Sequence, residues 1–258
     1  MRKLLIAIVG LAAMQAVGQN IVTKLVTYKS GDVELEAYMA YDMSAKGKRP
    51  AVLVVHDWNS IDDYERGRVV QLAEMGYVAF AVDIYGKGIR PKNREESAAQ
   101  AGKYRGNRTL LRERVVAGLT ELKKSPLVDT SKIAAIGYCF GGTTVLELAR
   151  AGADVKGVVS FHGGLSSPTP ADAKNIKAKI LVCHGADDPG VPPAEVAGFE
   201  KEMRDAKVDY TLIAYSGAVH SFTEPSAGND PSKGSAYHPL ADKRSWEHMK
   251  VFFTELFR

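Results

Sequence analysis

The sequence predicts an α/β domain with a doubly wound, mostly parallel sheet and helices on both faces. Short apolar runs without alternation, such as Ala51–Val55, are typical of strands that are buried on both faces. Amphipathic stretches such as Thr109–Lys123 follow these runs in turn, and this alternation is typical of parallel sheets. No linker rich in Pro, Gly or Ser and no internal repeat divides the 258 residues, so we expect residues 19–258 to form a single domain.

Residues 1–18 differ in composition from the rest of the chain and predict a signal peptide. Arg2 and Lys3 give a basic start, and Leu4–Met14 is an apolar run of 11 residues, too short to span a bilayer comfortably. Small residues up to Gly18 predict cleavage after that position. An uncleaved membrane anchor is the alternative. The pattern therefore predicts an exported protein, periplasmic or secreted, that keeps no stable membrane anchor after cleavage.

The charge balance gives no indication of binding to nucleic acid or to an acidic membrane surface. The formal net charge is +4, from 34 basic and 30 acidic residues, and loss of Arg2 and Lys3 would leave +2. The basic residues are dispersed along the chain rather than clustered. We therefore expect no nucleic-acid partner, and the sequence leaves the oligomeric state open.

The chain contains two cysteines, Cys139 and Cys183, which an exported protein could pair as a disulfide. Each follows or ends a predicted strand, and a third predicted strand lies between them in the chain. If the three strands are neighbours in that order, two strand spacings separate the sulfurs by about 10 Å, beyond the reach of a disulfide. We therefore expect two free thiols, which is unusual for an exported protein.

The first half of the chain predicts a hairpin followed by alternating strands and helices. Thr23–Tyr28 and Val33–Tyr41 alternate in polarity and are joined by Lys29–Asp32, which is typical of a β-hairpin. Further elements are predicted as strands at Pro50–His56 and Tyr77–Val82, and as helices at Asp62–Met75, within Pro91–Gly106 with flexible flanks, and at Thr109–Lys123. The strands predicted at Pro50–His56 and Tyr77–Val82 are almost entirely apolar, so we expect both of them to lie inside the sheet.

The second half continues the alternation. Strands are predicted at Ile133–Tyr138, Val155–Phe161, Ile180–Cys183 and Tyr210–Tyr215, and helices at residues 140–151, 193–205 and 241–257. Phe222–Pro239 is a long polar segment rich in Gly and Pro. A loop of this length in a compact domain is usually a functional cover or disordered.

The stretch Gly137-Tyr138-Cys139-Phe140-Gly141 joins a predicted strand to a predicted helix. Its G-x-C-x-G pattern is that of the nucleophile elbow of α/β-hydrolases, with sulfur where serine usually lies. The tight turn strains the nucleophile's backbone, and glycines without a Cβ let neighbouring backbone approach. The N-terminus of the following helix favours a thiolate. We therefore interpret Cys139 as a nucleophile; a buried structural cysteine in a glycine turn is the alternative.

Residues suited to a catalytic triad follow three predicted strands. Cys139 follows one of them, Asp188 comes shortly after a later one, and His220 comes after the last. This is the order of nucleophile, acid and histidine in α/β-hydrolases, and sites form at the carboxyl ends of parallel strands. The histidine would act as base and the carboxylate would orient it. Asp187 is the alternative acid.

With these motifs the sequence resembles the dienelactone hydrolase family over about residues 25–256. The stretches that carry the resemblance are 137–142, 185–191 and 218–222, with further likeness at 82–86 and 241–246. The resemblance implies an α/β-hydrolase fold and a Cys-His-Asp triad that hydrolyses a small-molecule ester or lactone through an acyl-enzyme, without a cofactor. The family's G-x-x-D-x-x-V spacing selects Asp188 over Asp187.

Four further positions are candidates for the site. The backbone N–H groups of Trp58 and Phe140 are the candidates for an oxyanion hole. Asp57 stands where the family has a glutamate that contacts the resting thiol, and it would either make that contact or cap the following helix. Lys87 stands at one of two positions where dienelactone hydrolase itself holds the substrate carboxylate with arginine, and we expect it to bind substrate. Glu224, of opposite charge, stands at the other, so a neutral or basic ester fits no worse.

Three other interpretations stay open. The chain could be a non-catalytic binding module on a hydrolase scaffold, or an amide or peptide hydrolase of the same fold. It could also hold a metal, although no C-x-x-C or H-E-x-x-H spacing is present. The ligands of such a site would come from Cys139, Cys183, His184 and His220. His56 and His162 also end strands, and we interpret them as structural or pocket-lining.

Overall fold

An eight-stranded sheet runs through the protein, whose computed structural model describes residues 20–258. In chain order the strands are β1 (Ile21–Ser30), β2 (Val33–Asp42), β3 (Arg49–Val55), β4 (Val78–Val82), β5 (Val128–Tyr138), β6 (Gly157–Phe161), β7 (Lys179–Gly185) and β8 (Tyr210–Tyr215). Across the sheet they lie in the order β1-β2-β4-β3-β5-β6-β7-β8. The predicted signal peptide, residues 1–18, lies outside the described residues.

The sheet is mostly parallel, which confirms the predicted fold class. β2 pairs antiparallel with β1 and with β4, and every other neighbouring pair is parallel. Ser30 pairs with Val33, so the hairpin turn consists of Gly31 and Asp32, and Gly31 adopts a φ of 59° that favours glycine. The parallel strands end at one edge of the sheet, and the loops after β3, β5, β7 and β8 meet there.

The helices are α1 (Asp63–Glu74), α2 (Arg94–Arg105), α3 (Arg108–Lys123), α4 (Phe140–Arg150), α5 (Pro193–Asp205) and α6 (Pro239–Leu256). α2 is a regular helix rather than the expected short helix with flexible flanks. Its N-cap, Asn93, accepts a hydrogen bond from the backbone N–H of Glu96, and it buries Ala101 and Tyr104. Capping and burial together therefore fix a segment whose polar composition favoured flexibility.

The core lies on both faces of the sheet. Alternate residues of β3 enter opposite clusters, with Leu53 on one face and Val54 on the other. Helices α3, α4 and α5 cover the Leu53 face, whereas α1 and α6 cover the Val54 face. This is the doubly wound arrangement that the sequence predicts. In the part of the chain from residue 20 onward, no helix combines the length and the apolar composition that crossing a membrane requires.

Candidate active site

The turn between β5 and α4 presents Cys139 at the carboxyl edge of the sheet. Cys139 has a φ of 51° and a ψ of −110°, a conformation that non-glycine residues rarely adopt. A Cβ on Gly137 would lie 2.1 Å from the carbonyl oxygen of Gly141, and one on Gly141 would lie 2.2 Å from that of Val55. These backbone contacts leave room only for glycine on either side of the sulfur.

His220 lies between the sulfur and a buried carboxylate. Its Nε2 atom is 3.0 Å from Cys139 Sγ, and its Nδ1 atom is 2.9 Å from Asp188 Oδ2. The other oxygen of Asp188 accepts a hydrogen bond from the N–H of Gly190 at 2.8 Å. Asp187 is exposed and accepts from the N–H of Gly217 instead. The structure therefore brings Cys139, His220 and Asp188 together in line, and it directs Asp187 to a turn.

The two cysteines lie in opposite electrostatic surroundings, and both are free thiols. Burial by itself would lower the pKa of His220, but the Cys139 sulfur and Asp188 outweigh it and raise that pKa to about 10. This favours an imidazolium beside the Cys139 sulfur at neutral pH. Burial raises the pKa of Cys183 to about 12, against a smaller lowering by the hydroxyl of Tyr215. Cys183, which lies on β7, is therefore held as a neutral thiol.

The backbone N–H groups of Trp58 and Phe140 have no hydrogen-bond acceptor within residues 20–258. Phe140 is the first residue of α4, where an N–H group has no partner inside the helix. The N–H of Cys139 is different, because it donates to the carbonyl oxygen of Phe161 and to Nδ1 of His162. The two free donors are those that the sequence predicts for an oxyanion hole, and Trp58 lines the cavity beside the sulfur.

The cavity beside Cys139 has a volume of about 660 Å³. The segment Phe222–Pro239 forms part of its wall through Glu224, Ser226, Ala227, Lys233 and Ser235. A bridge between His220 and Ser235 and two short 3₁₀ helices, Pro225–Ala227 and Pro231–Lys233, hold this segment in place. The segment is thus an ordered part of the cavity wall rather than a disordered loop.

Three arginines that the sequence reasoning missed line this cavity: Arg94, Arg105 and Arg108. A guanidinium N–H of Arg105 points to Cys139 Sγ at 3.9 Å, and Arg94 lies over the ring of Trp58. The Nε and Nη1 atoms of Arg108 are buried and have no hydrogen-bond partner among residues 20–258, and burial lowers the pKa of this guanidinium. No short motif marks these residues. Their charge gave no signal either, because basic residues are dispersed along the whole sequence.

Lys87 does not line the cavity, so the structure does not bring this predicted substrate-binding residue to the sulfur. Its Nζ atom pairs with Glu34 Oε1 at 2.6 Å, and its N–H donates to the carbonyl oxygen of Glu34. The loop after β4 contacts the neighbouring strand β2, so the charge of Lys87 lies beside Glu34 rather than in the cavity wall. The sequence position matched the family pattern, but the local course of the loop decides where the charge lies.

Asp57 lines the cavity, but its carboxylate accepts hydrogen bonds from the backbone and side-chain N–H groups of Asn59. The hydrogen-bonding partners of Cys139 Sγ among the described residues are His220 and Arg105, so the expected contact from Asp57 is not made. Asp57 is not a helix cap either, because Asp62 caps α1. Burial is the main cause that raises the pKa of Asp57 to about 7.

The remaining histidines at strand ends have structural partners. His56 is fully buried, contacts the carbonyl oxygen of Asp57 and accepts the N–H of Ile84. His162 is buried against the elbow. Between residues 20 and 258, no group of three His, Cys, Asp or Glu side chains is arranged to hold a metal ion.

Comparison with known proteins gives one consistent result. A model described as the dienelactone hydrolase family matches residues 35–257. A solved structure of a dienelactone hydrolase-like promiscuous phosphotriesterase from metagenomic libraries is 38% identical, with a TM-score of 0.89, and the match covers 93% of this chain and 100% of that one. An uncharacterized protein of Caenorhabditis elegans is 40% identical over 153 residues, which are 57% of this chain and 94% of that relative. A Bradyrhizobium protein described as a probable 2-oxo-3-(5-oxofuran-2-ylidene)propanoate lactonase is 28% identical over 226 residues, 84% and 87% of the two chains.

Proposed function

Because the chain belongs to the dienelactone hydrolase family and is a hydrolase of ester or lactone bonds, we propose that it acts through a Cys139-His220-Asp188 triad. The observation that carries the proposal is the pair of contacts made by one imidazole, 3.0 Å to the sulfur and 2.9 Å to the carboxylate. A nucleophile, a base and an orienting group at hydrogen-bonding distance are what covalent catalysis requires. Folding alone does not require this trio, so a purely binding role leaves the arrangement without a reason.

The proposed reaction passes through an acyl-enzyme. The sulfur of Cys139 attacks the carbonyl carbon, and the N–H groups of Trp58 and Phe140 hold the charge that develops on the carbonyl oxygen. The C–O bond breaks, the leaving alcohol takes a proton from His220, and a thioester remains on Cys139. His220 then takes a proton from water, the water oxygen attacks the thioester, and the acid leaves as the sulfur is restored.

The charges around the cavity favour a substrate with an anionic group. Arg94, Arg105 and Arg108 line it, and the last of these has two buried N–H groups that find no acceptor in the described part of the chain. Three carboxyl groups besides that of Asp188 also line the cavity: burial raises the pKa values of Asp57 and Glu224, and Glu195 accepts hydrogen bonds from the N–H groups of Leu165 and Ser166. A carboxylate or similar oxyanion would satisfy the arginine donors. We therefore propose small esters or lactones that carry such a group.

A second candidate activity of the same site is hydrolysis of phosphotriesters. The support is the 38% identical structure, which is described as a promiscuous phosphotriesterase. The same sulfur would attack phosphorus, and the donors at Trp58 and Phe140 would face the phosphoryl oxygen. Release of p-nitrophenol from paraoxon, absent in Cys139→Ala, is the expected result. A rate equal to that of buffer would remove this candidate.

The test of the main proposal follows p-nitrophenol release from acetate and butyrate esters. We expect Cys139→Ala and treatment of the wild type with iodoacetamide to abolish the rate. Cys183→Ala is the matched control, since Cys183 is buried and lies outside the cavity, and its rate should equal that of the wild type. Wild-type rates in Cys139→Ala would show that Cys139 takes no part in the mechanism. The interpretation as a non-catalytic binding module would then have to be tested again.

We further propose that the protein is exported to the periplasm or secreted, on the support of the residue pattern at positions 1–18. N-terminal sequencing of the protein purified from its native source should begin at Gln19. A chain that retains Met1 and is recovered with the cell interior would contradict export.

A further inference from the structure

His162 joins the segment that carries the nucleophile to the segment that carries the proposed base. It follows β6 directly and is buried, with 2% of its surface exposed. Its φ of 41° lies in the left-handed region, which few non-glycine residues occupy. It is not among the residues that line the cavity, so it does not meet substrate directly. The strained backbone and the burial of His162 therefore require an explanation other than contact with substrate.

The hydrogen bonds of His162 define its tautomer. Its Nδ1 atom lies 3.1 Å from the backbone nitrogen of Cys139, and a backbone N–H can only donate, so Nδ1 is the acceptor. Its Nε2 atom lies 2.8 Å from the hydroxyl oxygen of Thr223. Burial and the nearby charge of His220 hold the pKa of His162 well below its ordinary value. The ring is therefore neutral, with its proton on Nε2, and it donates to Thr223.

Thr223 fixes the far end of this connection. Its hydroxyl also lies 2.6 Å from the hydroxyl of Tyr64, and its carbonyl oxygen accepts from Arg68 at 3.3 Å. It is 1% exposed and stands three residues after His220 in the same segment. The rings of His162 and His220 also meet edge to face, with centroids 5.4 Å apart. The neutral ring of His162 therefore contacts both the segment that carries Cys139 and the segment that carries His220.

We propose that His162 is a positioning residue that couples the backbone of the nucleophile elbow to the segment carrying His220. This inference rests on the proposed function, because it assumes that His220 serves Cys139. A neutral imidazole suits the role since it both accepts and donates, which a lysine or arginine cannot do. Small errors in the placement of reacting groups reduce rates by orders of magnitude, so the connection acts on kcat rather than on substrate binding.

The test compares Thr223→Val with Thr223→Ser, using p-nitrophenyl butyrate hydrolysis and the rate at which iodoacetamide alkylates Cys139. The valine variant keeps the shape of the side chain and loses the acceptor of His162, whereas the serine variant keeps the hydroxyl. We expect kcat to fall about 10- to 100-fold in Thr223→Val with KM within about twofold of the wild type, and Thr223→Ser to retain most of the rate. The same split should appear in the alkylation rates.

His162→Asn provides an independent variant. Asparagine tolerates a positive φ and can still accept the N–H of Cys139, but it does not reach Thr223, so it should show the same loss of kcat as Thr223→Val. In the wild type, ¹⁵N NMR should report His162 protonated on Nε2 across neutral pH.

Circular dichroism and the Tm show that each variant is folded before rates are compared. Wild-type kcat in folded Thr223→Val and His162→Asn would overturn the inference, as would a ¹⁵N signature of the Nδ1-protonated tautomer. Cys139→Ala belongs in the same set of measurements. If it is inactive while the other variants behave as wild type, only this inference fails; if it is active, the proposed function itself fails.

Discussion

The Nε2 atom of His220 lies 3.0 Å from the Sγ atom of Cys139, although 81 residues separate them in the chain. The sheet accounts for this proximity. Cys139 follows β5, and His220 comes five residues after the end of β8, at the same edge of parallel strands. Each side chain is then fixed locally, the sulfur by its strained elbow and the imidazole by Asp188. The consequences of this pairing can be measured directly.

The first prediction concerns the pH dependence of thiol reactivity. The sulfur and Asp188, working against burial, raise the pKa of His220 to about 10, so the imidazolium that supports a thiolate persists through neutral pH. Because this positive charge lies beside the sulfur and favours the thiolate, we expect iodoacetamide to alkylate Cys139 at least about tenfold faster in the wild type than in His220→Gln at pH 6.5. The ratio should shrink toward pH 8.5, since a free thiol with a pKa of about 8.5 reacts about 50-fold faster at pH 8.5 than at pH 6.5. Equal rates in the two proteins at pH 6.5 would contradict the ion pair.

The second prediction separates the two adjacent aspartates. Asp188→Asn keeps the shape of the side chain but removes the charge that orients His220, and we expect kcat to fall by about 10²- to 10⁴-fold, as for the orienting aspartate of hydrolase triads. Asp187→Asn is the matched control, because Asp187 is exposed and serves only the turn at Gly217. Its steady-state rate should equal that of the wild type. Comparable losses in both variants would indicate a disturbed loop rather than a lost catalytic charge.

The third prediction tests the arginine wall of the cavity. Arg108→Gln removes a cation whose buried Nε and Nη1 groups have no hydrogen-bond partner from residue 20 onward. We expect KM for a p-nitrophenyl ester with a free carboxylate, such as the succinate monoester, to rise about tenfold, the worth of a single charge-assisted hydrogen bond. KM for the neutral butyrate ester should not change. Lys87→Gln is the control, since it removes an equal charge outside the cavity, and an equal effect of the two variants would rule out local recognition.

The predictable part of this molecule is the part that sequence order determines. Alternating apolar and amphipathic runs fix a parallel sheet, and the carboxyl ends of parallel strands meet, so Cys139, Asp188 and His220 could be brought to one edge by reasoning from the sequence alone. The glycines at 137 and 141 identified the elbow because a tight turn between strand and helix leaves no other choice.

The unpredictable part depends on loops and on side chains of long reach. Lys87 was placed in the site by a family position, but the loop after β4 folds onto β2 and gives its charge to Glu34. Arg105 reaches the sulfur from a helix whose polar sequence carries no motif. The hydrogen-bond partners of His162 come from segments distant in the chain, and no spacing of residues in the sequence predicts these hydrogen bonds. Long side chains and irregular loops do not follow strand order, so their contacts have to be observed.

The fourth prediction tests the close approach at the elbow. A Cβ on Gly141 would lie 2.2 Å from the backbone oxygen of Val55, and backbone cannot yield as a flexible side chain can. We expect Gly141→Ala to lower the free energy of unfolding by about 3 kcal/mol or more and to lower kcat through displacement of the sulfur. Gly102→Ala is the control, because no atom of the described residues that could crowd the added methyl lies within 4 Å of it, and alanine favours the helix by about 0.5–1 kcal/mol. Urea denaturation measures both, and equal stabilities would contradict the packing argument.

The last prediction concerns the pH dependence of stability at Asp57. Burial, with smaller contributions from Asp62 and Glu224, raises the pKa of Asp57 from 3.8 to about 7. Since the folded value lies above the unfolded one, this carboxyl favours the folded state below pH 4, and that advantage is lost as the pH rises to 7. Asp57→Asn removes the buried charge, so we expect the free energy of unfolding to increase by about 1–3 kcal/mol at pH 8 and to change little at pH 4.

The control for Asp57 is an aspartate with a shift of the opposite sign. Hydrogen bonds from the side chain and backbone of Ser131 lower the pKa of the half-buried Asp129, so its ionised form favours folding above pH 4. Asp129→Asn should therefore leave stability at pH 8 unchanged or slightly reduced, whereas Asp57→Asn increases it. Urea denaturation at pH 4, 6 and 8 distinguishes the two, because only relief of a buried charge produces a gain that grows with pH between 4 and 7. A gain for Asp57→Asn that is the same at every pH would instead indicate better packing of the amide.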